Sequence, residues 1–149
     1  MKKYIGTKLI KAKPMNRGDY NEYRGWTIPE NENPTDEGYL VAHPDWHESW
    51  SPKEDFENAY HEYNNLTFGL AIEAIKKGKK VARKGWNGKN QYIQLATGIS
   101  YKSATGEIVN CEHEAIGNKA IAFVGTSGVQ MGWLASQADM LAEDWCIVE

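Results

Sequence analysis

The amino-acid composition changes near residue 65, and this change favours two small folding units over one large core. Residues 1–65 hold 8 basic and 12 acidic side chains, whereas residues 66–149 hold 9 basic and 8 acidic ones. Ten of the 17 aromatic residues also lie in the first part. Thr67, a typical helix cap, directly precedes an apolar run. We therefore divide the chain into an N-terminal module of residues 1–65 and a C-terminal domain of residues 66–149.

The overall charge and hydropathy exclude several classes of protein. The net charge is -3 and the mean hydropathy is -0.64, which argues against a nucleic-acid polymer as partner. No apolar run approaches the roughly 18 residues of a membrane span, and the lysine-rich start lacks the apolar core of a secretory signal. Cys111 and Cys146 are too few for a disulfide framework, so we expect a reducing, cytoplasmic environment.

Local patterns predict that the N-terminal module is a small α+β unit. Asn16 and Gly25 are typical start and stop residues of a helix, and Ser51 followed by Pro52 is typical of another helix start. The predicted elements are a strand over 3–11 ended by Pro14, a helix over 16–24, hairpin strands over 38–42 and 46–50, and a helix from Ser51 to about residue 60.

The C-terminal domain is predicted to be α+β, with a twisted, mostly antiparallel sheet packed on a helix. Apolar residues recur at helical spacing over 68–75, and Gly78 ends that helix. Ser136 and Asp139 form a capping-box pattern that opens a second helix, reaching about residue 142. The predicted strands are 80–84, 91–96, 107–111, 119–124 and 145–148. Because so small a domain buries only about 60% of its unfolded surface, we expect an oligomer.

Metal and catalytic motifs are weak in this sequence. His43 with His47, and Cys111 with His113, have the right chemistry for zinc, but no further pair completes four ligands. The sequence contains no nucleophile elbow and no glycine-rich phosphate loop. We therefore predict no metal site, no cofactor and no catalytic residues.

Two aromatic segments are the strongest candidates for ligand binding. The turn over 85–88 presents Trp86 beside Arg83, where a ring can stack a base and a guanidinium can hold a phosphate. The alternative is a plain β-turn with a locally packed tryptophan. Further on, Trp133 precedes the helix start at Ser136. Ser136, Gln137 and Asp139 could contact a base edge, ribose hydroxyls or a phosphate, or serve only as a helix cap beside a core tryptophan.

Both segments also resemble a known family. Residues 67–88 (TFGLAIEAIKKGKKVARKGWNG) and 132–145 (GWLASQADMLAEDW) closely resemble the two ends of the second Thoeris anti-defence family of phages. The resemblance covers about residues 66–149. The N-terminal module resembles a separate small phage domain of unknown function, on residues 24–26 (RGW), 38–41 (GYLV) and 49–52 (SWSP).

This resemblance implies a sponge rather than an enzyme. Members of the family bind, without cleaving it, a cyclic ADP-ribose isomer (gcADPR) made by an immune TIR protein in the cytoplasm of the host bacterium. Cyclic dinucleotides are a further candidate ligand at another site. The resemblance also implies a homotetramer, a dimer of dimers, with pockets between protomers. Carried over by position, the ligand-binding residues are Trp86, Trp133, Asp139, Ser136, Gln137, Asn87 and Arg83.

Two other functions remain open at this point. One is an enzyme that degrades cyclic nucleotide signals. The other is a phage protein-interaction module without a small ligand, whose N-terminal module docks a partner through Trp26, Trp46 and Trp50.

Overall fold

A computed structural model describes residues 1–86, 90–98, 100–109 and 119–148. Contacts divide the chain into two compact units, Met1–His61 and Glu62–Glu149, here called the first and second unit. The composition changes at residue 65, a few residues after this division. In the described ranges, no helix is long and apolar enough to cross a bilayer.

The first unit is a three-stranded antiparallel sheet with two helices. Its elements are β1 (Lys11–Pro14), α1 (Arg17–Arg24), β2 (Gly38–Ala42), β3 (Glu48–Pro52) and α2 (Lys53–Ala59). The sheet order is β1-β2-β3. The strand predicted over 3–11 is wrong, because β1 pairs Lys11 with Ala42, where β2 ends. Earlier residues therefore have no strand to pair with in this sheet.

The caps of the two helices differ in how well they were predicted. Helix α1 begins as expected, with the Asn16 side chain accepting a hydrogen bond from the Asp19 amide at 2.7 Å. It ends at Gly25, whose φ of 71° is left-handed. The predicted cap Ser51 of α2 is wrong. Ser51 belongs to β3, where it pairs with Tyr39, and α2 starts after Pro52 without a side-chain cap.

The second unit contains a five-stranded antiparallel sheet, which confirms the predicted α+β class. Its elements are α3 (Phe68–Lys76), β4 (Lys80–Arg83), β5 (Tyr92–Ala96), β6 (Tyr101–Lys102), β7 (Ile108–Val109), β8 (Ala120–Gly125), β9 (Gly128–Met131), α4 (Gln137–Leu141) and β10 (Trp145–Val148). The sheet order is β10-β4-β5-β8-β9, and β6 pairs with β7 as a separate hairpin.

Most elements of the second unit lie where the patterns predicted them. Thr67 caps α3 through its side chain, and Gly78 follows the helix with a φ of 85°. Strands β6 and β9 were not predicted. They are two and four residues long and all their residues are exposed, so the alternation of Val129 and Met131 around Gln130 is too short to indicate a strand. The predicted strand over 107–111 corresponds to β7 as far as residue 109, and its end lies outside the described residues.

One face of the five-stranded sheet carries the core. The buried cluster joins Ala71, Ala74 and Ile75 of α3 to Val81 and Ile93 of the sheet, with Leu66 and Trp145 completing it. Phe123 pairs with Ile93 across the β5–β8 ladder, so its side chain lies on the same face. That face holds the candidate site.

The opposite face of the sheet is less covered at its β9 edge. Met131 pairs with Ala122 and Val129 pairs with Val124, so both β9 side chains lie opposite to Phe123. Val129 is 62% exposed and Met131 is 43% exposed.

Candidate functional site

The structure brings Trp86 and Trp133 together on the core face of the second unit. Their ring centroids are 6.0 Å apart, and the planes meet at 72°. Both side chains are half-buried and pack against the core cluster. The two residues are 47 positions apart in sequence, so only the folded sheet makes them neighbours.

Local backbone contacts hold each tryptophan in place. The Trp86 amide donates to the Arg83 carbonyl at the end of β4. The amides of Gly132 and Trp133 both donate to the Ile121 carbonyl of β8, at 3.1 and 2.9 Å. Gly132 has a φ of 76°, a conformation that glycine adopts without strain. The chain therefore turns sharply after β9 and directs Trp133 back over β8.

Two further rings complete an aromatic cluster. Phe123 lies 5.3 Å from Trp86 and 6.4 Å from Trp133, measured between ring centroids. Trp145 lies 5.4 Å from Trp86 and 6.3 Å from Trp133, is fully buried, and donates its indole N–H to the Asp139 carbonyl. Trp145 therefore belongs to the core. Phe123 was missed, although its alternation with Ile121 along β8 could have placed it on this face.

The relative orientation of Trp86 and Trp133 limits how they can hold a ligand. A base between two rings needs those rings roughly parallel, and these two are closer to perpendicular. The arrangement instead allows a base to stack on one ring while its edge meets the other.

Arg83 is held between two carboxylates. Its Nε donates to Asp144 Oδ1 and its Nη1 donates to Asp139 Oδ1, both at 3.0 Å. Hydrogen bonds to Asp144 and then to Asp139 raise the pKa of Arg83. The three side chains together carry one net negative charge, so a phosphate meets Arg83 only beside two competing anions.

Ser136 and Asp139 form the predicted capping box of α4. The Asp139 amide donates to Ser136 Oγ at 3.1 Å, and the Ser136 amide donates to Asp139 Oδ2 at 3.0 Å. Burial alone would raise the pKa of Asp139. The hydrogen bonds from Ser136 and from Arg83 outweigh it, so the pKa is lowered from 3.8. Asp139 therefore links the helix cap to Arg83.

Of the two remaining predicted site residues, the structure describes Gln137 but not Asn87. Gln137 is the first residue of α4 and is exposed, so its amide faces solvent. The helix has only five residues, and the Asp139 amide at its start already donates to the Ser136 side chain. Few free amides therefore remain there for an anion. Asn87 lies outside the described residues.

The structure also describes some of the residues of the alternative metal and docking sites. Among the described residues, no group of three or more His, Cys, Asp and Glu side chains could hold a metal ion. The His43 and His47 rings stack at 5.4 Å in the first unit, and Cys111 and His113 fall outside the described ranges. Trp50 is half-buried and donates to the Met15 carbonyl, whereas Trp26 and Trp46 are 51% and 95% exposed.

The candidate site falls within a recognised domain. The family model described as "Thoeris anti-defense 2-like domain" matches residues 66–148, which is more than half of the chain. The chain belongs to the Thoeris anti-defense 2-like family. A curated relative, "Thoeris anti-defense 2" of Bacillus phage SP01, is 40% identical over 88 residues, covering 56% of this chain and 94% of that protein.

The family match confirms the resemblance stated from the sequence. The matched Thoeris anti-defense 2-like domain contains the whole aromatic cluster, Arg83 and the α4 capping box. The first unit lies outside the matched residues. Any ligand site shared with the family is therefore to be sought in the second unit.

Proposed function

We propose that this Thoeris anti-defense protein is a phage sponge. It binds a TIR-derived cyclic ADP-ribose isomer (gcADPR) in the cytoplasm of the host bacterium without cleaving it, and so prevents activation of the Thoeris effector. The observation that supports this most strongly is the half-buried aromatic cluster beside the Arg83 ion pairs, inside the matched domain.

The groups around the cluster match the chemistry of such a ligand. Aromatic rings stack a base, each contact contributing about 1–3 kcal/mol. Arg83 has five N–H donors; two of its nitrogens, Nε and Nη1, bond to the aspartates, and donors on Nη2 remain for a phosphate. The aspartate oxygens can accept hydrogen bonds from ribose hydroxyls. A ligand with a base, ribose and phosphates can use all of these groups.

The proposed affinity follows from competition with a receptor. A sponge must bind its signal at nanomolar concentration or below, which corresponds to about -12 kcal/mol. A cyclised ligand loses little conformational freedom when it binds, which favours tight binding.

Binding without cleavage fits the polar groups that the structure describes near the rings. Ser136 is the hydroxyl in this group, and it donates to Asp139 Oδ2 while accepting from the Asp139 amide. Asp139 is held ionised by its partners. A carboxylate whose pKa is lowered is a weak base, so Asp139 is poorly suited to take the proton of Ser136 and activate it as a nucleophile.

We also propose a homotetramer, a dimer of dimers with pockets between protomers. Exposed apolar side chains support an assembly: Leu134, which follows Trp133 in the chain, and Met140 and Leu141 of α4 are 88%, 48% and 78% exposed. Apolar groups at the rim of a site gain most when another protomer covers them. Further pockets in such an assembly are where cyclic dinucleotides would bind.

The decisive experiment mixes purified protein with excess gcADPR, removes free ligand, releases the bound fraction by heat and analyses it by chromatography. We expect intact gcADPR in an amount close to the number of sites. Trp133→Ala serves as the comparison: in a titration it should bind gcADPR at least roughly tenfold more weakly than wild type, since a stacking contact is lost. Turnover of a large excess into hydrolysed product would instead indicate an enzyme.

One observation favours a second function for the first unit. Trp46 follows the tight turn after β2 with a φ of 67° and is 95% exposed. A bulky residue in this left-handed conformation is strained, and exposing its ring adds no packing. A docking contact with another protein would explain both features. Co-purification of a partner that is lost in Trp46→Gly would support this module function.

A further inference from the structure

We infer, given the proposed purine-containing ligand, that Phe123 rather than Trp86 is the ring that stacks opposite Trp133. Phe123 and Trp133 form the two walls of a slot for a planar base, and Trp86 closes its back. This assigns a binding role to Phe123 and a different role to Trp86.

Ring orientations distinguish the walls from the back. Phe123 and Trp133 are nearly parallel, with 20° between their planes. Trp86 meets Phe123 at 63° and Trp133 at 72°. Of the three ring pairs, Phe123 with Trp133 therefore has the orientation that stacking on both faces of a base requires.

The spacing of the walls decides whether a base can enter without movement. A planar ring needs about 3.5 Å to the ring on each side, hence about 7 Å between the walls. The Phe123 and Trp133 centroids are 6.4 Å apart, and for nearly parallel rings the faces are no farther apart than the centroids. The two walls therefore have to move apart to admit a base.

The two walls differ in how easily they move. Phe123 lies in β8, which is paired with β5 on one side and β9 on the other. Trp133 lies between the end of β9 at Met131 and the start of α4 at Gln137, in a segment without regular structure. Phe123 is therefore the fixed wall. The backbone of Trp133 is anchored at the Ile121 carbonyl, so its side chain is the part of the other wall that adjusts to the ligand.

Polar groups lie at the same end of the sheet as the slot. Trp145, which contacts both Trp86 and Trp133, pairs with Arg83 across the β4–β10 ladder and donates to the Asp139 carbonyl. A base in the slot would therefore leave its ribose and phosphate groups on the side of Arg83.

The test compares two phenylalanines of the same core. Phe123→Leu removes the flat face but keeps an apolar side chain, and Phe68→Leu makes the same change at a ring that contacts Trp145 but lies outside the slot. Calorimetric titration with gcADPR and with cyclic di-AMP gives the affinities. Quenching of tryptophan fluorescence reports stacking on the indole.

We expect Phe123→Leu to weaken binding by roughly five- to hundredfold and to reduce the quenching, as loss of one stacked ring predicts. Phe68→Leu should change affinity less than about twofold. Trp86→Phe keeps an aromatic edge and should lose less affinity than Phe123→Leu.

The alternative outcomes test the slot and the proposed gcADPR function separately. If wild-type protein binds gcADPR and Phe123→Leu binds it equally well, the slot is wrong while the sponge function stands. If only cyclic di-AMP binds and Phe123→Leu weakens it, the slot stands and the gcADPR function fails. If neither nucleotide binds the wild-type protein, both are overturned.

Discussion

Arg83 shows how single side chains set the charge that a ligand meets. Its two carboxylate partners differ in accessibility, since the Asp139 side chain is 15% exposed and that of Asp144 is 36% exposed. Asp139 is also held by the helix cap. Asp144 is therefore the partner that an incoming phosphate would displace.

Replacing Asp144 by asparagine should strengthen binding of a phosphate-bearing ligand. The amide keeps the shape but removes one negative charge beside Arg83, an effect of about 0.5–1 kcal/mol, or roughly two- to fivefold in affinity. Titration of Asp144→Asn with gcADPR at low and at physiological salt measures it. Weaker binding than wild type would mean that Asp144 itself contacts the ligand.

Asp139 predicts a pH dependence of stability. Its folded pKa is lowered from 3.8, so its ionised form stabilises the fold at pH values above the unfolded pKa. That stabilisation is lost as the pH falls through the lower folded value.

The comparison that isolates this effect is wild type against Asp139→Asn, by urea unfolding from pH 7 down to pH 2.5. The unfolding free energy of wild type should exceed that of Asp139→Asn by a constant amount above about pH 5, and this difference should shrink progressively below about pH 4. An advantage that stays constant down to pH 2.5 would show that Asp139 stabilises the fold only as a neutral cap.

Strand pairing in the first unit depends on a glycine. Gly38 begins β2 and pairs with Pro52 of β3. A Cβ atom at this position would lie 2.3 Å from Trp50 Cζ2 and 2.4 Å from the Ser51 carbonyl oxygen. Because the Ser51 oxygen is backbone and the Trp50 ring is held by its bond to Met15, neither moves easily.

We therefore expect Gly38→Ala to lower the unfolding free energy of the first unit by about 1–3 kcal/mol, as overpacking does. Gly6→Ala is the matched control, since its Cβ would meet nothing within 4 Å. The control should change stability by less than about 0.5 kcal/mol. Equal stability of the two variants in urea would show that β2 and β3 can separate to admit the methyl group.

For the whole molecule, the β9 edge of the sheet is where we expect protomers to meet. Val129 and Met131 are exposed on the face opposite to α3, and an apolar sheet face is normally covered. Covering it with another copy would also supply burial that so small a domain lacks.

Val129→Lys should therefore reduce the assembly to smaller species, seen by light scattering or native mass spectrometry. Ile108→Lys is the control, because Ile108 is also exposed, at 77%, but belongs to the separate β6–β7 hairpin. An unchanged tetramer would place the interface elsewhere.

Local sequence patterns were enough for several elements. Asn16 with Gly25, Thr67 with Gly78, and the Ser136–Asp139 box each marked a helix end correctly, because caps act through neighbouring backbone groups. Strand β10 was also predicted with its observed bounds. The family, too, was recognisable from two sequence segments.

Pairing between distant segments could not be read from the sequence. The early strand was misplaced because only β2, some 30 residues later, decides where β1 begins. Ser51 matches a helix cap locally, but the β2–β3 ladder holds it as strand. Strand β9 is a strand only because β8 lies beside it.

For the candidate site, the sequence likewise predicted the residue types, whereas the fold decided their arrangement. The residue types came from the sequence, since indoles, a guanidinium and a capping box are visible in short segments. The alternation along β8 indicates the face of Phe123, but its contacts with Trp86 and Trp133, the ring that is parallel to it, and the sharing of Arg83 by Asp144 were decided by tertiary structure. Ring angles and ion pairs depend on how β4, β8 and β10 align across the sheet, and no local pattern encodes that alignment.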